Sequence, residues 1–95
     1  MKEGEFAVET RLAIAAIVVE DPGSAEQMNH ILHEYRGYII GRMGIPYPTR
    51  RISLVSVAID APTNVISALS GKLGNIPGLS VKTVYSKVSE SKEEG

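Results

Sequence analysis

The feature that most constrains this chain is an internal repeat. Shifting the sequence by 40 residues lays Arg11-Leu12 on Arg51-Ile52, the apolar run Ile14–Val19 on Leu54–Ile59, and Glu20-Asp21-Pro22 on Asp60-Ala61-Pro62. Under the same shift Gly37 falls one residue short of Gly78. An apolar run, an acidic end, a proline and a glycine therefore recur in order. Two copies are too few for a solenoid, which must stack several repeats to close a core. They suit two matching βαβ halves, and 95 residues leave room for a single domain.

Each half reads the same way. Thr10–Glu20 is β-branched and aliphatic, the composition of a buried strand. Asp21-Pro22-Gly23 ends it, and Ser24 is placed to cap a helix. Ala25, Met28, Ile31, Leu32 and Tyr35 then follow helical spacing, with Gly37 as the stop and Tyr38–Met43 as a second strand. Gly44–Thr49, with two prolines, reads as the turn into the second half. There Arg51–Asp60 is the third strand, and Pro62-Thr63-Asn64 opens a helix striped by Val65, Ile66, Leu69, Leu73 and Ile76. Gly74 and Pro77 end that helix before a last strand, Leu79–Lys87. The folded domain is expected over 10–87, between flexible tails at 1–9 and 88–95.

Right-handed crossovers of two βαβ units predict a ferredoxin-like α+β fold, βαββαβ, with a four-stranded antiparallel sheet and both helices on one face. The first and third strands are then central, and they are the two most apolar. Such a sheet should alternate apolar and polar residues. The first strand instead carries Leu12, Ile14, Ala16 and Val18 on one face and Ala13, Ala15, Ile17 and Val19 on the other. The third sets Ile52, Leu54 and Ala58 against Val55, Val57 and Ile59. Helices can cover only one of these faces. A homo-oligomer, dimer or tetramer, closed through the open sheet face is the expected remedy.

Composition removes several function classes. There is no cysteine, hence no thiolate nucleophile and no Cys-x-x-C metallochaperone loop. The central strands hold no aromatic side chain on which an RNA base could stack. A formal net charge of −1 gives no nucleic-acid footprint, so direct nucleic-acid binding is not expected. No apolar run is long enough to span a bilayer, and Met1–Phe6 lacks the start of a signal peptide. No membrane association and a cytoplasmic location are the expectation. No catalytic constellation and no cofactor are expected either.

Three clusters remain as candidate sites. Asp21, Gly23 and Ser24 precede a helix start, where backbone amides can receive an anionic effector. Arg42, Arg50 and Arg51 flank the proline-rich turn and could hold an anion or touch a partner. His30 and His33 are three apart on one helix and are the candidates for metal, although no third ligand is evident. The plain alternatives are an ordinary turn, solubilising charge and solvated imidazoles.

The stretches Asn29–Tyr35, Ile39–Tyr47 and Ile66–Lys82 resemble a small bacterial family of iron-only hydrogenase system regulators. Gly41-Arg42-Met43-Gly44-Ile45 and Gly71-Lys72-Leu73-Gly74 are the more specific parts. The resemblance spans about residues 10–87. It implies an ACT-like fold, similar to the C-terminal domain of the nickel-responsive repressor, and a non-catalytic regulatory role. By the same resemblance a small effector would sit at Asp21, Gly23 and Ser24. The expected second strand has none of the repressor's histidines or its cysteine, so nickel sensing is not carried over. A small enzyme acting on an anionic substrate, or a DNA-contacting regulator, is the alternative reading.

Overall fold

The strongest β-forming stretches make the centre of the sheet. In the computed structural model, which describes residues 9–87, strand β1 (Arg11–Val19) pairs antiparallel with β3 (Ile52–Ala61) along its whole length. Strand β4 (Leu79–Tyr85) lines the free side of β1, and β2 (Ile39–Tyr47) the free side of β3. The strand order is β2-β3-β1-β4. Helices α1 (Ser24–Glu34) and α2 (Thr63–Gly74) complete the ferredoxin-like α+β fold. Of the segments expected to be tails, all but Glu9 lie outside the described residues.

The repeat shows itself as an approximate two-fold relation. Ala16 and Ser56, equivalent under the 40-residue shift, face each other at the middle of the β1–β3 ladder. Both helices pack on one side of this ladder. Ala13, Ala15, Ile17 and Val19 from β1 and Val55, Val57, Ile59 and Ala61 from β3 form one core with Met28 and Leu32 of α1 and Ile66, Leu69 and Leu73 of α2. Full burial of a Leu or Ile side chain contributes roughly 1.5–3 kcal/mol, which makes this layer the main source of stability. A Ser70–Thr83 hydroxyl hydrogen bond of 2.6 Å fixes α2 on β4.

Local details depart from the sequence reading in three places. Ser24 is not the cap of α1 but its first residue, behind Gly23, and its buried hydroxyl donates to the Pro77 carbonyl. Gly37 does not end the helix in the left-handed region. The helix stops at Glu34 and a short 3-10 turn, Arg36–Tyr38, follows. Gly78 is the described glycine with positive φ, +87°, and a Cβ there would come within 2.6 Å of Asp21 Cβ and Ser24 Oγ. The start of α1 and the start of β4 are thus locked together, with Glu20 N–H donating to the Gly78 carbonyl at 2.8 Å.

The third departure is the second strand. It does not stop at Met43 but runs through Gly44 and Pro46 to Tyr47, with the turn at Pro48–Arg51. An edge strand tolerates proline because one of its sides has no partner. Near its start Ile39 faces Ile59 but Gly41 faces Ala58, which leaves Ile40 as an extra, bulged residue. The equivalent strand of the second half, β4, pairs with β1 without interruption. One inserted residue turns every later side chain to the other face. Met43 and Ile45 therefore join the open face, opposite Ser56 and Leu54, and Arg42 joins the helix side, opposite Val57.

Replacing Gly78 with Ala is expected to destabilise the fold by about 2 kcal/mol or more, since positive φ and a backbone-proximal clash add. Gly71→Ala, inside α2 with nothing within 4 Å, should instead stabilise by about 0.5–1 kcal/mol. Urea unfolding of the two variants, measured side by side, checks both signs.

Candidate functional site

Covering one sheet face leaves the other bare. Leu12, Ile14, Ile40, Met43, Ile45, Leu54 and Val84 are between 45% and 65% exposed. Two shallow apolar depressions run along this open face. One, about 330 Å³, lies among Leu12, Ile14, Ile40, Ala58 and Val84. The other, about 240 Å³, lies among Ala16, Val18, Met43, Ile45 and Leu54. Of one set named from the sequence, Leu12, Ile14, Ala16, Val18, Leu54 and Ala58 line these depressions while Ile52 lines the hairpin cleft, and the bulge adds Ile40, Met43 and Ile45.

The start of α1 forms one wall of a cleft of about 450 Å³, whose other wall is the tip of the β2–β3 hairpin. Pro22 and Ala25 face Tyr47, Pro48 and Arg51 across it. The helix amides are largely engaged by the turn itself. Gly23 N–H donates to Asp21 Oδ1 at 3.0 Å, Ser24 N–H to the Asp21 carbonyl at 2.8 Å and Ala25 N–H to the Pro22 carbonyl at 3.2 Å. Asp21 and Gly23 are exposed but do not line the cleft, Gly23 lining instead a depression with Glu26, Gln27 and His30, while Ser24 is buried against Pro77. A Cβ on Gly23 would meet only Asp21 Oδ1, at an ordinary 3.5 Å, so the glycine is not required by crowding. Arg51 is the described non-glycine residue with positive φ, +58°. Arginine has no special tolerance for that region, and holding it there stores about 1–2 kcal/mol.

The arginine cluster divides. Arg50 and Arg51 sit in the turn, where their amides donate to the Tyr47 and Pro48 carbonyls at 3.1 Å. Arg42 is five residues before Tyr47, where β2 ends, so about 17 Å of extended chain separates it from the start of the turn. It instead meets the end of α1, lining a depression of about 470 Å³ with Asn29, Leu32, His33, Arg36 and Ile39. Sequence reasoning overlooked Asn29 and Arg36. The spacing Asn29-His33-Arg36, at i, i+4 and i+7, was the available signal.

The histidines also separate. His30 lines a different depression, beside Glu26 and Gln27, with Nε2 3.8 Å from Glu34 Oε2. His33 faces the arginines. Among the described residues no three His, Asp or Glu side chains come together in a way that could hold a metal ion. Lys72 completes the polar surface of the helices. Its ammonium, 3.7 Å from Glu34, is held above its ordinary value by the hydrogen bond and charge of Tyr35 and, against some desolvation, by Glu34.

The sequence profile of the TM1266-like family, "Iron-only hydrogenase system regulator, putative", matches residues 11–83. The solved structure of uncharacterized protein TM1266 from Thermotoga maritima is similar, with a TM-score of 0.80 and 36% identity, over 83% of this chain and all of that one. The chain belongs to this family. A formyltetrahydrofolate deformylase from Pseudomonas putida KT2440 is similar over 78% of this chain and 28% of that enzyme, with a TM-score of 0.53 and 13% identity. That likeness is one of fold alone. No curated protein matches this chain. Among the described residues no helix is long and apolar enough to cross a membrane.

The strain at position 51 gives a test of what the cleft asks of that residue. Arg51→Gly is expected to raise stability by about 0.5–1 kcal/mol, because glycine adopts positive φ freely. Thermal or urea unfolding measures it. A loss of stability would mean that the guanidinium contributes a contact that outweighs the strain.

Proposed function

We propose that this chain is a non-catalytic regulatory module of the iron-only hydrogenase system, working in the cytoplasm as a homo-oligomer closed through its open sheet face. The family supports the regulatory part. The observation that carries the oligomer is the apolar open face. Seven large side chains, each about half exposed, forgo roughly 1 kcal/mol apiece, or about 7 kcal/mol per copy. Two copies bringing those faces together recover about twice that, enough to offset an association cost of roughly 4–15 kcal/mol. A monomer rarely leaves so continuous an apolar patch in water.

A second copy is the occupant this face suits best. A two-fold contact must match itself, and this face sets small Ala16 and Ser56 at its centre between rows of large aliphatics, with the exposed Lys82 of β4 beside Ala16 toward its edge. The effector, a small molecule or a segment of a protein partner, is assigned to the cleft between the start of α1 and the hairpin tip. Asp21 and Gly23 shape the turn that places Pro22 in its wall, Ser24 braces that turn from behind, and Arg51 supplies its charge.

Light scattering coupled to size exclusion tests the assembly directly. The wild type should show at least twice the chain mass of 10.2 kDa. Ile14→Glu and Leu54→Glu should each reduce it to the monomer while far-ultraviolet circular dichroism is unchanged. A monomeric wild type at micromolar concentration would sink the oligomer. For the cleft, a thermal-shift screen of amino acids, nucleotides and divalent metals should find a stabilising compound whose effect is lost in Arg51→Ala. A flat response would move the cleft from small effectors to a protein partner.

A further inference from the structure

Some surface cations have a visible anionic or aromatic companion. Lys72 lies 3.7 Å from Glu34 and 5.1 Å over the Tyr35 ring. Arg11 stacks on Tyr85 and donates to the Ser86 carbonyl. His30 approaches Glu34. The depression between the end of α1 and β2 breaks this pattern. Arg36, Arg42 and His33 converge on it, and no carboxylate lines it. Among the described residues the Arg42 side chain makes no hydrogen bond or ion pair, its backbone alone being held in the ladder opposite Val57. Arg36 uses one guanidinium nitrogen to reach the His33 carbonyl at 2.8 Å, which leaves its other donors unassigned.

We infer that this depression binds the phosphoryl group of a small anionic ligand. Two guanidiniums present planar forks that match the oxygens of a phosphate, and an imidazole and the Asn29 amide add further donors. With nothing bound, like charges face one another, whereas a doubly charged anion relieves that repulsion. The carbonyl end of α1 would otherwise repel an anion. Here the His33 carbonyl is already covered by Arg36, and the Tyr35 amide closes on the Ile31 and Leu32 carbonyls. Leu32 and Ile39 give the depression an apolar floor, suited to the carbon skeleton beyond the phosphate. A volume of about 470 Å³ is within the range of small-ligand sites.

A small ligand fits better than a nucleic acid backbone. Tracking a backbone needs a stripe of cations, and the hairpin arginines lie past the end of β2, which is itself about 17 Å of extended strand from Arg42. The site is on the helix side of the sheet, so the assembly proposed above leaves it open. Each reading can therefore fail its own test without the other failing.

The test is a nitrogen-15 NMR titration of the intact protein with inorganic phosphate and pyrophosphate, at constant ionic strength set by chloride. Saturable shifts should concentrate at Asn29, His33, Arg36 and Arg42, with pyrophosphate the tighter probe. Arg42→Ala and Arg36→Ala should each weaken binding about tenfold or more, Arg42→Lys less, and Arg50→Ala not at all. Wild-type shifts that do not saturate, or that Arg50→Ala reduces equally, would overturn the site. So would duplex DNA binding with shifts extending over Arg50 and Arg51 and a steep loss of affinity with salt. Mass measurements on the same samples report the oligomer separately, so failure of one reading is not mistaken for failure of the other.

Discussion

The pairing of β1 with β3 is the constraint on which the rest of the structure depends. These strands come from different halves of the repeat, yet they meet residue for residue around Ala16 and Ser56. Placing equivalent residues opposite one another gives the two halves an approximate two-fold relation, and this sends both helices to the same side. That side becomes a dry core in which Val57, Ile66 and Leu73 are wholly buried. The other side inherits what a central strand pair of Val, Ile, Leu and Ala must also present there. The open apolar face is thus a consequence of the duplicated architecture as well as a surface available for assembly.

The bulge at Ile40 is where the two halves stop being equivalent. Strand β4 keeps one alternation along its length, whereas β2 changes phase after its first residues. Without that change Met43 and Ile45 would point toward the helix layer and Arg42 would sit on the open face beside Ser56 and Leu54. A guanidinium there would oppose the meeting of two apolar faces. Moved to the helix side, it reaches Asn29, His33 and Arg36 instead. One extra residue thereby enlarges the apolar surface and assembles the cationic depression.

The sequence made the coarse plan legible because its signals are redundant. The repeat, the β-branched runs and the two helical stripes all lead to the same four strands and two helices, and the two faces of β1 and β3 fall where alternation puts them. What escaped depends on distant partners or on phase. Ser24 looks like a cap because its local neighbours are those of a helix start. Its hydroxyl is diverted by Pro77, which lies 53 residues away. Gly37 and Gly78 look interchangeable in the repeat, but only Gly78 is pressed against Asp21 and Ser24. Arg42, Arg50 and Arg51 look like one cluster because they are close in the chain. An extended hairpin separates them, and a bulge, which no local composition announces, decides which way Arg42 points.

Strand β2 has a further consequence for how the two faces communicate. Its alternate residues belong to different surfaces, with Met43 and Ile45 on the open face and Arg42 between them on the helix side. It is also an edge strand, paired only with β3 and exposed along nearly all its length, so little else holds it in place. An anion drawing Arg42 toward α1 and a second copy pressing on Met43 and Ile45 would act on the same few peptide units. Where two binding events bias one element, any effect of one on the affinity of the other is returned by the same factor. If ligand and second copy both bind as proposed, the pleat of this one strand would be the shortest physical connection between them.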